Sequence, residues 1–156
     1  MLRRQLLGII FLLVSFLGFL DASYLAVEHY RGVVPPCSVI VGCELVTTSK
    51  YALIFKIPVA LLGAIYYLAV LILSVAYLES QNKKWLTAAA ILTPLGFLAS
   101  AWFVYLQLYV IKAVCIYCVG SALTSTILFI LGVVELRTKD TWWEKLKHGM
   151  GGLFRH

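Results

Sequence analysis

The sequence predicts an all-α membrane protein, a four-transmembrane-helix bundle with a long outer loop that contains a short helix. Three observations carry this. The 156-residue chain is 62% hydrophobic and only 13% charged, with a mean hydropathy of +0.95, whereas a soluble domain is roughly half apolar and a quarter charged. Four stretches are long enough to cross a bilayer, which takes ~20 residues. The thirteen basic residues all fall outside these stretches, as expected of a protein oriented by its loops, so the net charge of +6 does not imply nucleic acid.

The first span is expected over about residues 6–30. Residues 5–20 are uncharged, and the apolar character resumes after Asp21. Met1-Leu2-Arg3-Arg4 would suit a secretory leader, but no Ala-x-Ala site follows, so a retained span is expected. The other spans are expected at 57–78, 85–111 and 113–134, uncharged runs of 22, 27 and 22 residues. Pro58 suits the first turn of the second span, and Pro94 with Gly96 is expected to kink the third. Lys112 alone separates the last two, so a short interfacial turn is expected there. The tail, 135–156, reads as an interfacial anchor with Trp142 and Trp143, and Gly149, Gly151 and Gly152 argue against a long helix.

With the amino terminus in the cytoplasm, nine basic residues lie inside (Arg3, Arg4, Lys83, Lys84, Arg137, Lys139, Lys145, Lys147, Arg155). Four lie outside (Arg31, Lys50, Lys56, Lys112). That bias predicts a multi-pass protein of the cell membrane with both termini cytoplasmic. It also puts all four cysteines on the outer face, the oxidising one.

Cys115-Ile116-Tyr117-Cys118 opens the last apolar stretch. At a helix start, residues three apart share a face and their sulfurs can bridge, and the positive helix end favours thiolate. Cys37 and Cys43 lie in the 26-residue loop 31–56, long enough to be functional. Pro35-Pro36 forces an extended approach to Cys37, and Gly42 permits a bend before Cys43. A short helix is expected from Glu44 to about Tyr51.

Two thiol pairs on one face suggest a relay. A soluble protein dithiol reduces Cys37–Cys43, and a loop thiolate then attacks the Cys115–Cys118 disulfide. The final acceptor must take two electrons and two protons, as a membrane quinone does, and Trp102, Phe103, Tyr105 and Tyr117 could border its ring. Asp21, an intramembrane acid, is a candidate for proton handling. Gln107 could bond a quinone oxygen or a neighbouring helix. His29 is the only histidine near a span, so paired axial haem ligands are not available.

The residues Cys37…Gly42-Cys43-Glu44-Leu45-Val46-Thr47-Thr48-Ser49, Ile57-Pro58-Val59-Ala60-Leu61-Leu62-Gly63 and Cys115-Ile116-Tyr117-Cys118 resemble the vitamin K epoxide reductase family in its prokaryotic branch. The resemblance covers roughly residues 6–134. It implies a quinone-dependent, disulfide-generating oxidoreductase with the quinone, of ubiquinone or menaquinone type, inside the bundle and a thioredoxin-fold partner outside. Cys115 and Cys118 match the active-site pair, with Cys118 facing the quinone, and Cys37 and Cys43 match the shuttle pair. Ser49 matches a serine near the redox centre; the bland alternative is a turn at a short helix end. Ser49, Val59, Leu62, Gln107 and Ala122 are the expected quinone contacts. Animal members use an asparagine and a tyrosine at the positions of Val59 and Ala122, so quinone reduction is expected here rather than epoxide reduction. Lys56 stands where a small residue is expected. Only 22 residues follow Val134, too few for a fused thioredoxin domain, so a separate partner is expected.

Two other readings remain open: a zinc-binding protein using all four cysteines, against which the five-residue spacing within the loop pair and the oxidising compartment both argue, and a non-catalytic membrane scaffold with structural disulfides. No metal is expected on the first reading.

Overall fold

The computed structural model describes residues 2–33, 43–47, 49–54 and 57–151. Its elements are α1 (Leu2–Arg31), α2 (Cys43–Thr47), a 3-10 turn (Lys50–Ala52), β1 (Leu53–Ile54), β2 (Ile57–Pro58), α3 (Val59–Ser80), α4 (Lys83–Tyr105), a π-helical segment (Leu106–Ile111) and α5 (Ile116–Gly151). Four helical segments, Arg4–Arg31, Val59–Ser80, Lys83–Ile111 and Ile116–Arg137, are long and apolar enough to cross a membrane. They pack as an all-α bundle, as the sequence predicts.

Helix α1 lies against α3 along a buried stripe in which every residue but Phe11 is small. Gly8, Phe11, Ser15, Gly18 and Ala22 recur at alternating three- and four-residue steps and are all buried, which is the period of one helix face. Large side chains of α3 fill the relief this leaves. A methyl group built on Gly8 would come within 2.7 Å of the Tyr77 ring, and one on Gly18 would overlap the Tyr67 ring. In lipid, close packing of this kind rather than water exclusion holds helices together.

Helices α3 and α4 join through a two-residue turn. Gln81 takes the left-handed conformation, φ 53°, and donates its N–H to the Tyr77 carbonyl at 2.8 Å. Asn82 then caps α4 by accepting the Lys84 N–H on its side chain at 3.1 Å, so each of these helix ends has one of its orphan groups satisfied.

Helix α4 runs through Pro94 without a break. Proline lacks the N–H that would bond the Ala90 carbonyl. The Thr93 hydroxyl supplies that bond instead, at 2.7 Å. Gly132 of α5 passes so close here that a methyl group on it would overlap the Thr93 hydroxyl.

Four expectations need correction. The last span does not start at residue 113: residues 112–115 are non-helical and α5 begins at Ile116. The cause is the π-helical end of the third span, after which Lys112 turns left-handed, φ 55°. The Gln107 carbonyl gathers the N–H groups of both Lys112 and Ala113, which closes that turn over four residues. Pro58 is not in the first helical turn but immediately precedes it, as the last residue of β2, which pairs antiparallel with β1. The glycines near the carboxyl end do not stop α5, which stays helical to Gly151; glycine weakens a helix by about 1 kcal/mol and does not forbid one. The expected loop helix is two pieces, α2 and the 3-10 turn. The readings of Pro35, Pro36, Cys37, Gly42 and Lys56 fall outside the described residues, as do the side chains of Cys43, Trp142 and Trp143.

Candidate active site

Cys115 sits where a helix-capping residue normally sits. Its carbonyl accepts the first bond of α5, from the Val119 N–H at 3.0 Å. The Cys118 thiol and the N–H groups of Cys118 and Tyr117 are donors beside its sulfur. The sulfur takes the place that an N-cap oxygen takes elsewhere. The Cys118 thiol contributes most, and together these donors hold the Cys115 thiol well below its ordinary range, against burial and the negative field of Asp21. A thiolate at a helix start is the form that attacks a disulfide, and the form that leaves one, in exchange.

Cys115 is fully buried and Cys118 is half-buried; both are free thiols. Val46 of α2 and Ala113 pack on Cys115. The loop helix that begins at Cys43 therefore lies over the Cys115–Cys118 pair. Only the backbone of Cys43 is described; its helical register puts position 43 on the same face as Val46, three residues on.

Gln107, 3% exposed, accepts the Cys115 N–H on its side-chain oxygen at 3.0 Å. It lies in the π-helical segment, whose wider turns leave room for this inward-facing side chain.

Beneath Cys118 lies a cavity of about 590 Å³ between the helices. Ser49, Val59, Leu62, Gln107 and Asp21 all border it, together with Cys118; Ala122 does not. The cavity wall is mainly apolar, and most of its polar atoms are already bonded. The Ser49 hydroxyl donates to the Val46 carbonyl at 2.8 Å, which is the helix-end turn considered as its bland alternative. Tyr67 donates to the Ser121 carbonyl at 2.7 Å and also meets the hydroxyls of Ser121 and Thr124. Ser125 donates to the Ser100 hydroxyl at 2.7 Å. Two buried atoms on residues of the cavity wall have no hydrogen-bond partner among the described residues: Oδ2 of Asp21 and the hydroxyl of Tyr66. Asp21 Oδ1 lies 4.0 Å from where a Gly120 side chain would begin, beside the first turn of α5.

The family model for the vitamin K epoxide reductase family matches residues 9–133. The chain belongs to the vitamin K epoxide reductase family. No curated protein matches it. Vitamin K epoxide reductase family members are oxidoreductases linked to quinones, and with four apolar helices this chain is a multi-pass membrane protein of that kind.

Of the aromatic residues expected at the bundle mouth, Phe103 borders the cavity. Trp102 instead stacks with Tyr105 at 5.9 Å, and Tyr105 with Tyr109 at 5.0 Å, on an exposed face. Tyr117 packs at 5.3 Å against Tyr24 of α1. Sequence reasoning missed Tyr66 and Tyr67. Their only signal was spacing: Tyr66 follows Gly63 by three residues and Val59 by seven, on one helix face.

Proposed function

We propose that this protein is a thiol–quinone oxidoreductase of the prokaryotic branch, acting with a separate thioredoxin-fold partner to support disulfide formation in exported proteins. The observation that carries this reading is the placement of Cys118 on the wall of a 590 Å³ apolar cavity while Cys115, its neighbour, lies under the loop helix. Each sulfur of the pair has a different audience, one lipid-borne and one in the loop.

The steps balance by thiol exchange. The partner's dithiol reduces the Cys37–Cys43 disulfide and leaves oxidised. A loop thiolate attacks the Cys115 sulfur of the Cys115–Cys118 disulfide, forming a mixed disulfide and releasing the Cys118 thiolate. The second loop thiol resolves the mixed disulfide, so the loop pair is oxidised and the Cys115–Cys118 pair holds two electrons. The register shared by Cys43 and Val46 favours Cys43 as the attacking loop residue. Hydrogen-bond donors around the Cys115 sulfur stabilise it as leaving group when the mixed disulfide resolves.

The cavity fits a quinone by its apolar wall and its two unpartnered polar atoms. When bound, a quinone supplies an acceptor for two electrons and two protons. Val59 and Leu62 would contact its ring, Ser49 and Gln107 lie at the wall, and Asp21 would hold a proton near Cys118. The bias of basic residues supports both termini in the cytoplasm and the cysteines on the outer face.

The test is an assay of purified protein with a reduced thioredoxin-fold protein and a quinone, followed by quinone absorbance. Turnover is expected in the wild type and lost in Cys115→Ala and Cys118→Ala. A folded wild type that reduces no quinone refutes the reading, and bound zinc released by these substitutions would replace it.

A further inference from the structure

Among the cavity's polar groups, Tyr66 is out of balance. A buried hydroxyl without a partner costs free energy, and native proteins rarely leave one so. The neighbouring polar groups follow the rule: Tyr67, Ser121, Ser125 and Ser49 are all hydrogen-bonded. Tyr66, on the same turn of α3 as Tyr67, has a buried hydroxyl with no partner among the described residues.

Its position is also built rather than incidental. A methyl group on Gly96 of α4 would overlap the Tyr66 ring and its hydroxyl, so the ring occupies the space that the missing side chain leaves. Tyr67 packs against it edge to face at 5.1 Å. Both Tyr66 and Gly96 border the cavity that Cys118 also borders. The cavity wall therefore includes a fixed phenol ring, clamped between two helices, whose hydroxyl is buried against Gly96 with one unused proton to donate.

We infer that the Tyr66 hydroxyl donates a hydrogen bond to a carbonyl oxygen of the ligand bound in this cavity, and that Gly96 is the positioning residue that lets it do so. The inference rests on the proposed quinone function and deepens it. Val59 and Ala122 carry no donor, and Ala122 does not border the cavity. Tyr66 supplies a donor from the same helix as Val59, two turns further along. A phenol keeps its proton while donating, and its bond strengthens as charge gathers on the carbonyl oxygen. The aspartate opposite, Asp21, remains for proton handling.

The test uses full-length protein in detergent with the Cys115–Cys118 pair oxidised, so that no turnover occurs. Binding of 2-methyl-1,4-naphthoquinone and of 2-methylnaphthalene, the same ring system without oxygens, is measured by fluorescence quenching. Tyr66→Phe is expected to raise the naphthoquinone Kd about tenfold, the ordinary consequence of losing one buried hydrogen bond, and to leave the hydrocarbon Kd unchanged. Gly96→Ala, which displaces the ring, is expected to show the same selective loss.

Equal weakening of both ligands in Tyr66→Phe would mean that only packing was lost and would overturn the inference. So would an unchanged naphthoquinone Kd in a wild type that prefers naphthoquinone to the hydrocarbon; the proposed function would then survive. A wild type that binds the two ligands equally would overturn both.

Discussion

The side-chain oxygen of Gln107 accepts the backbone N–H of Cys115 at 3.0 Å. The residue that closes the π-helical end of the third span thus also fixes the backbone of the first cysteine of the Cys115–Cys118 pair. Its own backbone carbonyl binds the turn residues Lys112 and Ala113, so one glutamine ties the whole connection to the start of α5.

Replacing Gln107 by leucine keeps the volume and removes the acceptor. The buried Cys115 N–H is then unpaired, a cost of about 1–3 kcal/mol. Thermal unfolding in detergent is expected to show that loss. Reduction of the Cys115–Cys118 disulfide by dithiothreitol is expected to slow in parallel, because the sulfur is no longer held against its donors. Wild-type unfolding together with wild-type exchange would show that the bond does not matter.

Cys115 gives the protein a pH dependence. Hydrogen bonds from the Cys118 thiol and two backbone N–H groups hold its thiol down to about 6 in the folded protein. Because the folded value lies below the unfolded one, the folded state binds fewer protons between the two. The resulting stabilisation is fully present above the ordinary thiol value and is lost as pH falls through about 6. The reduced wild type is therefore expected to gain Tm over reduced Cys115→Ala as pH rises from about 6 to about 9. A Tm difference that stays flat across this range would contradict it. Below pH 6 the gain is expected to vanish.

Gly18→Ala tests the packing that carries the site. A methyl group there overlaps the Tyr67 ring, and Tyr67 is bonded through its hydroxyl to Ser121 and Thr124 of α5. Overpacking of this kind costs about 1–3 kcal/mol. The expected result is a lower Tm in detergent, largely restored by Tyr67→Phe only if the hydroxyl bonds rather than the ring cause the strain. Since the ring remains in Tyr67→Phe, no rescue is expected, whereas Tyr67→Leu with Gly18→Ala should recover part of the loss.

Much of the fold was legible because a bilayer demands long uncharged runs, and this chain has four. Their ends were less so. The break after the third span carries only Lys112 as a polar mark, yet four residues leave the helix, because a π-helical segment and a left-handed lysine set the geometry. The Cys-x-x-Cys pair announced itself by spacing and by its place at a helix start. That Cys115 would act as the cap itself, rather than sit inside the first turn, depended on where α5 begins.

Single polar residues in apolar runs were the hardest to read. Gln107 could equally have faced a ligand, and its partner lies eight residues away across a turn that composition does not reveal. Tyr66 and Tyr67 look alike in sequence. One is saturated with hydrogen bonds and the other has none among the described residues, a difference that only the opposite helices decide.

The cover that Val46 forms over Cys115 has a consequence for traffic in the cell. Peroxide, glutathione and other small scavengers diffusing in the aqueous phase meet no exposed sulfur at that residue. An attacking group must either push α2 aside or ride on it. The contact thus makes approach to Cys115 selective by access, before any difference in potential is considered.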